Sequence, residues 1–125
     1  MPPRPVFDRP VFAHVRKECL ALPETSEAMS WGHPNFRAGK RTFCAFELIG
    51  GRPSIAFKLP ADDPALRPWG DAFATPYGRG AWTSIWIDGA VDRQAIAVLA
   101  ERSYRGVATK RMVRALDERA ATRRT

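Results

Sequence analysis

The sequence predicts a single α+β domain: a curved antiparallel sheet of about five strands, packed on one face by helices from the two ends of the chain. Three observations carry this. Between Glu24 and Leu59 short apolar runs are broken by Gly32-His33-Pro34, Gly39-Lys40 and Gly50-Gly51, the punctuation of an antiparallel meander. Outside that region apolar residues recur every three or four positions, from Val11 to Leu20 and from Ile96 onward, as on helices with one buried stripe. The length, 125 residues of which 45% are hydrophobic and 26% charged, suffices for one core and not for two.

The first helix has Asp8 placed to cap it, Pro10 in its first turn, and Val11, Phe12, Val15, Cys19 and Leu20 on one stripe. Leu22-Pro23 ends it, since the residue before a proline is pushed out of the α region. Strands follow at 27–31, 36–38, 42–49 and 54–59. In the last of these Ile55, Phe57 and Leu59 alternate with Ser54, Ala56 and Lys58, as in a sheet covered on one side. Residues 60–69 are broken by prolines, and Phe73 to Gly80 reads as a loop or irregular edge. A fifth strand, 82–87, sets Trp82, Ser84 and Trp86 against Thr83, Ile85 and Ile87 before Asp88-Gly89 turns it. Asp92 caps a second helix with Ile96, Leu99 and Ser103, together with Ala95, Val98 and Tyr104, on its buried side. Gly106 is a candidate break before a third helix, in which Leu116 packs inward with either Met112 or Val113. The core is expected to span about 8–118, with 1–6 and 120–125 loose.

Composition limits the function classes. Met1-Pro2-Pro3-Arg4-Pro5 lacks a signal-peptide apolar region, and no apolar run approaches the roughly 20 residues of a membrane span, so a cytoplasmic protein without membrane contact is expected. Cys19 and Cys44 have neither C-x-x-C spacing nor scaffold density and read as reduced core residues. The net charge of +7 is local. Residues 1–24 hold four basic and three acidic groups, 25–100 hold eight and seven, and 101–125 hold eight and three. Sixteen of the twenty basic residues are arginine, which with many Ala and Pro is the coding bias of a GC-rich genome, so arginine enrichment alone does not argue for nucleic acid.

Catalytic patterns are missing from the sequence. His14, His33, Cys19 and Cys44 form no metal-ligand spacing, and Ser30 or Cys44 beside His33 lacks a nucleophile elbow. Asp62, Asp63, Asp71 and Asp88 adjoin Pro or Gly, where turns and caps explain them. Gly50-Gly51 and Gly78-Arg79-Gly80 lack phosphate-loop spacing. Neither enzyme activity nor a metal or cofactor is expected.

What remains is a binding surface. Lys40 and Arg41 lie at a predicted hairpin tip, Arg79 just before Trp82, and Arg105, Lys110, Arg111 and Arg114 in the C-terminal helical region. Cations on tips and helix faces suit phosphates, and Trp82 or Trp86 on a strand suits stacking on bases.

Several strings together resemble the MmcQ/YjbR family of small bacterial proteins, from about Leu20 to Val113. They are Leu22-Pro23-Glu24 followed by Glu27, Gly39-Lys40-x-x-Phe43, the strand through Lys58, Trp82-Thr83-Ser84-Ile85 closing on Asp88-Gly89, and Ser103-Tyr104-Arg105. The resemblance implies a fold like that of the frataxin-like CyaY proteins and a DNA-binding role by analogy with a double wing of β-hairpins. Family members carry a His- and Lys-containing stretch before the strand tryptophan. Here it reads Tyr77-Gly78-Arg79-Gly80-Ala81, with one cation. The expectation is therefore a monomeric, non-enzymatic DNA-binding domain of low sequence specificity. The alternative is a protein-interaction or small-ligand module using the tryptophan face and the loop 32–35.

Overall fold

In the computed structural model, which describes residues 10–30, 32–76, 80–89 and 91–124, the first helix α1 (Pro10–Leu20) opens on a proline whose missing N–H would have had no partner in that turn. Asp8, its expected cap, lies outside the described residues. Val11, Val15 and Cys19 are its buried stripe.

Four strands follow as a meander: β1 (Thr25–Ser30), β2 (His33–Ala38), β3 (Arg41–Ile49) and β4 (Arg52–Phe57). A 3₁₀ turn, Pro64–Leu66, is capped by Asp63, whose carboxylate accepts from the Ala65 N–H. The stretch expected to be a loop or irregular edge holds a sixth strand, β5 (Phe73–Ala74), too short to show a period of two. It borders β6 (Thr83–Trp86), and the open antiparallel sheet runs β1-β2-β3-β4-β6-β5.

The helix α2 (Arg93–Val107) is capped by Asp92, which accepts from the N–H groups of Gln94 and Ala95. It passes through Gly106 and ends at Val107, with Ala108 as its extended cap, one residue beyond the expected break. Thr109 then accepts from the Met112 N–H at the start of α3 (Lys110–Arg124). The helix α3 includes residues 120–124, the stretch read as loose, where Ala120, Ala121 and the following arginines are good helix formers. Met112 is the buried partner of Leu116, while Val113 is half-buried.

The core lies between one face of the sheet and the pair α1 and α2. Phe36, Phe43, Cys44, Phe46, Ile55, Phe57 and Ile85 meet Val15, Cys19, Ile96, Leu99 and Tyr104. Phe12 and Phe36 both pack edge-on to Phe46, with ring centroids 4.8 and 6.3 Å away. Burial pushes the Cys44 thiol well above its ordinary pKa, and the contact with Cys19 pushes it in the same direction, while both cysteines are buried core residues.

The alternation in β4 predicts a wet second face, and here the structure differs. Ser54 and Ala56 are fully buried. Their cross-strand partners are Trp86 and Ser84, with Phe73 beyond on β5, and the Phe73 and Trp86 rings stack at 4.5 Å over these small residues. Thr75 and Ser84 hydroxyls share a buried hydrogen bond of 2.8 Å there. Small side chains on a central strand thus let large neighbours close over them.

Candidate functional site

The basic residues are distributed by one junction. The turn after α1 puts Glu24 at φ +56, a left-handed conformation rare for a side-chain-bearing residue. In that pose its C=O accepts from the Gly39 N–H (3.1 Å), and its carboxylate takes both terminal nitrogens of Arg111. Gly39 itself has φ +62, as the first position of this two-residue β2–β3 turn requires, and a Cβ there would come within 2.9 Å of Met112 Cε. The hairpin tip is therefore seated on the first turn of α3.

This seating puts the turn that carries Lys40 and Arg41 against the Met112 side of α3, while Lys110 and Arg114, two positions before and after Met112, project from the opposite side of that helix. Lys40, Arg41, Lys110 and Arg114 are exposed and form no ion pair with any described residue. Two neighbouring cations, Arg105 and Arg111, are neutralised. Arg105 pairs with Asp117 (2.8 Å) and with Glu101 one turn back (3.5 Å), and Arg111 holds Glu24. Arg114 and Lys110 line an open cleft with Arg105, Asp117 and Glu118, so the charge there is mixed. Arg79 lies outside the described residues.

The tryptophans are already engaged. The Trp86 ring stacks on Phe73, and the Arg52 guanidinium lies 3.9 Å from its centroid, itself held by Asp88. Trp82 is half-buried, with Lys58 Nζ 5.5 Å from its centroid. By register, Lys58 and Trp82 sit at the same end of the sheet as Phe43 and the hairpin tip. Stacking of a base on Trp86 would have to displace one of these partners.

A second arrangement was only partly foreseen. Pairing of β2 with β3 stops at Asn35 and Ala45, although β2 begins at His33 and β3 runs on to Ile49. Pro34, with no N–H to donate, stands at the opening. A cavity of about 430 Å³ occupies it, lined by Ser30, His33, Pro34, Asn35, Ala45 and Phe46 and also by Glu47 and Leu48. Asn35 is 5% exposed. Its Nδ2 donates to Ser30 Oγ (3.0 Å), while Oδ1 is buried with no hydrogen-bond partner. Burial raises the Glu47 carboxyl above its ordinary pKa, an effect that the charge of His33 partly offsets. The sequence singles out the loop 32–35, but not Glu47. Its available signal was a lone carboxylate in the apolar run 42–49.

Among the described residues no group of three His, Cys, Asp or Glu is placed to hold a metal ion, and no helix is long and apolar enough to cross a membrane. A family model described as YjbR matches residues 20–106, more than two thirds of the chain and all of the elements from β1 to the end of the glycine-containing part of α2. No curated protein matches the chain.

Proposed function

We propose that this chain, which belongs to the YjbR family, is a non-enzymatic nucleic-acid-binding domain that recognises the phosphate backbone with little sequence preference. The observation that supports this reading is a set of four exposed cations without an ion pair to any described residue, Lys40 and Arg41 on the β2–β3 tip and Lys110 and Arg114 on α3, the helix on which that tip is seated. Cations on two adjoining elements can contact phosphates of one backbone, and contacts of this kind carry no base information. Only Lys40 and Arg41 fall within the span matched by the family; Lys110 and Arg114 lie beyond it, on α3.

The test is titration of a labelled DNA duplex at several salt concentrations. If each of the four cations meets one phosphate, log affinity falls with log salt with a slope of about −3.6, and each change to alanine reduces the slope by about 0.9. Arg102→Ala removes a cation held by Asp63 on the other side of α2 and is expected to leave the slope unchanged. Absence of binding at low salt, or equal losses for Arg102→Ala and Lys40→Ala, sinks the reading.

A further inference from the structure

We propose that the opening between β2 and β3 is a binding site for a small molecule that carries an amine or amidine group on an apolar body. The phosphate-binding surface and this site use different residues, so either can stand without the other.

The cavity is built into the strands. Beyond the Asn35 and Ala45 pair the two strands separate, and the space between them, about 430 Å³, falls in the range that holds small ligands. Its walls at Ala45, Phe46 and Leu48 are apolar, so an apolar body gains by displacing water from them. Its polar groups are chiefly acceptors. The Asn35 amide is oriented by its Nδ2 bond to Ser30, which leaves Oδ1 buried and unbonded in a residue that is 5% exposed. An unmade bond on a buried acceptor costs about 1–3 kcal/mol, which a ligand N–H would recover.

The second acceptor is the Glu47 carboxylate on the facing strand. A cationic N–H group gains a charge-assisted bond there and fills both acceptors at once. A carboxylate ligand meets repulsion from Glu47 and finds no donor at Asn35 Oδ1. His33 and the Ser30 hydroxyl, on the same rim, are able to donate, and the charge of His33 acts on the Glu47 carboxyl.

Benzamidine serves as the probe, titrated into the full chain and followed by amide NMR, with benzoate as its anionic counterpart. Saturable shifts at Asn35, Ser30 and residues 45–48, with a Kd of about 1 mM or tighter, are expected for benzamidine and not for benzoate. Glu47→Gln, which keeps the shape, should weaken binding about tenfold or more. Ala45→Leu, which fills the cavity, should abolish it while the far-UV spectrum is retained. The proposal is overturned by absence of saturable shifts in the folded chain, by benzoate binding as well as benzamidine, or by unchanged affinity in Glu47→Gln. Should Ala45→Leu fail to fold, the Glu47→Gln and benzoate arms decide alone.

Discussion

Tyr104 shows what a single side chain adds beyond its hydrophobicity. It is fully buried, edge-on to Phe43 at 5.6 Å, and its hydroxyl donates to the Pro23 C=O at 2.7 Å. Tyr104→Phe keeps the ring and strips the carbonyl of that donor, so it should cost about 1–2 kcal/mol in urea unfolding. A smaller loss would mean that water replaces the hydroxyl. The period of α2 makes the burial of Ile96, Leu99, Ser103 and Tyr104 legible, although Val98, read on the same side, is 51% exposed; this bond has no local sign, because its acceptor lies 81 residues away. Glu47 gives a pH signature. Its carboxyl is raised by burial, so the folded chain holds that proton more tightly than the unfolded chain does. The contribution to stability is present below the ordinary carboxylate value and is lost as pH rises through the raised folded value. Glu47→Gln should therefore be more stable than the natural chain at neutral pH, with the difference shrinking near pH 4; unfolding midpoints at the two pH values measure this.

At the scale of elements, turn chemistry was the most legible part. Gly39-Lys40, Gly50-Gly51 and Asp92 all perform the roles their residue types suggest. Gly39→Ala should cost about 1–2 kcal/mol from its left-handed backbone alone. It also presses on Met112 and should weaken DNA binding by lifting the tip from α3. Relief of both losses by Met112→Ala, read by unfolding and titration, would show that crowding rather than backbone strain dominates. Two features were hidden from local pattern. The strand β5 has two residues, fewer than any period can reveal, and it is a strand only because β6 offers an edge. The opening between β2 and β3 depends on where two strands stop pairing, for which Pro34 is a sign only after the register is known. The buried second face of β4 follows from neighbours across the sheet and not from its own alternation.

For the molecule as a whole, the strings that carry the family resemblance prove to be bonded to one another. The Ser103 hydroxyl donates to the Phe43 C=O and accepts from the Lys58 N–H, and Tyr104 holds Pro23. Glu24 holds Gly39, and Thr83 donates to the Leu59 C=O next to Lys58. These residues fasten helices to sheet, which explains why the architecture was readable while the ligand was not. The sites considered above use other residues, apart from Lys40. The net charge of +7 is likewise spread over the chain: Arg16, Arg52, Arg102, Arg105 and Arg111 are held by carboxylates, while Lys17, Lys40, Arg41, Arg67, Arg93, Lys110 and Arg114 are exposed without an ion pair to any described residue.

The bonds made by Ser103 and Tyr104 also set an order of assembly. They span 45, 60 and 81 residues, so closing them is entropically expensive and cannot precede the arrival of α2. In a chain that lengthens from its N-terminus, α1 and the first four strands exist before Ser103 and Tyr104 can fasten them, and the meander must persist with its apolar face covered by α1 alone. Docking of α2 is then the event that turns it into a domain, the long-range step on which folding speed depends. Stopped-flow refolding of Tyr104→Phe is expected to lose speed with little change in unfolding rate; the opposite pattern would place the fastening of Pro23 after the barrier.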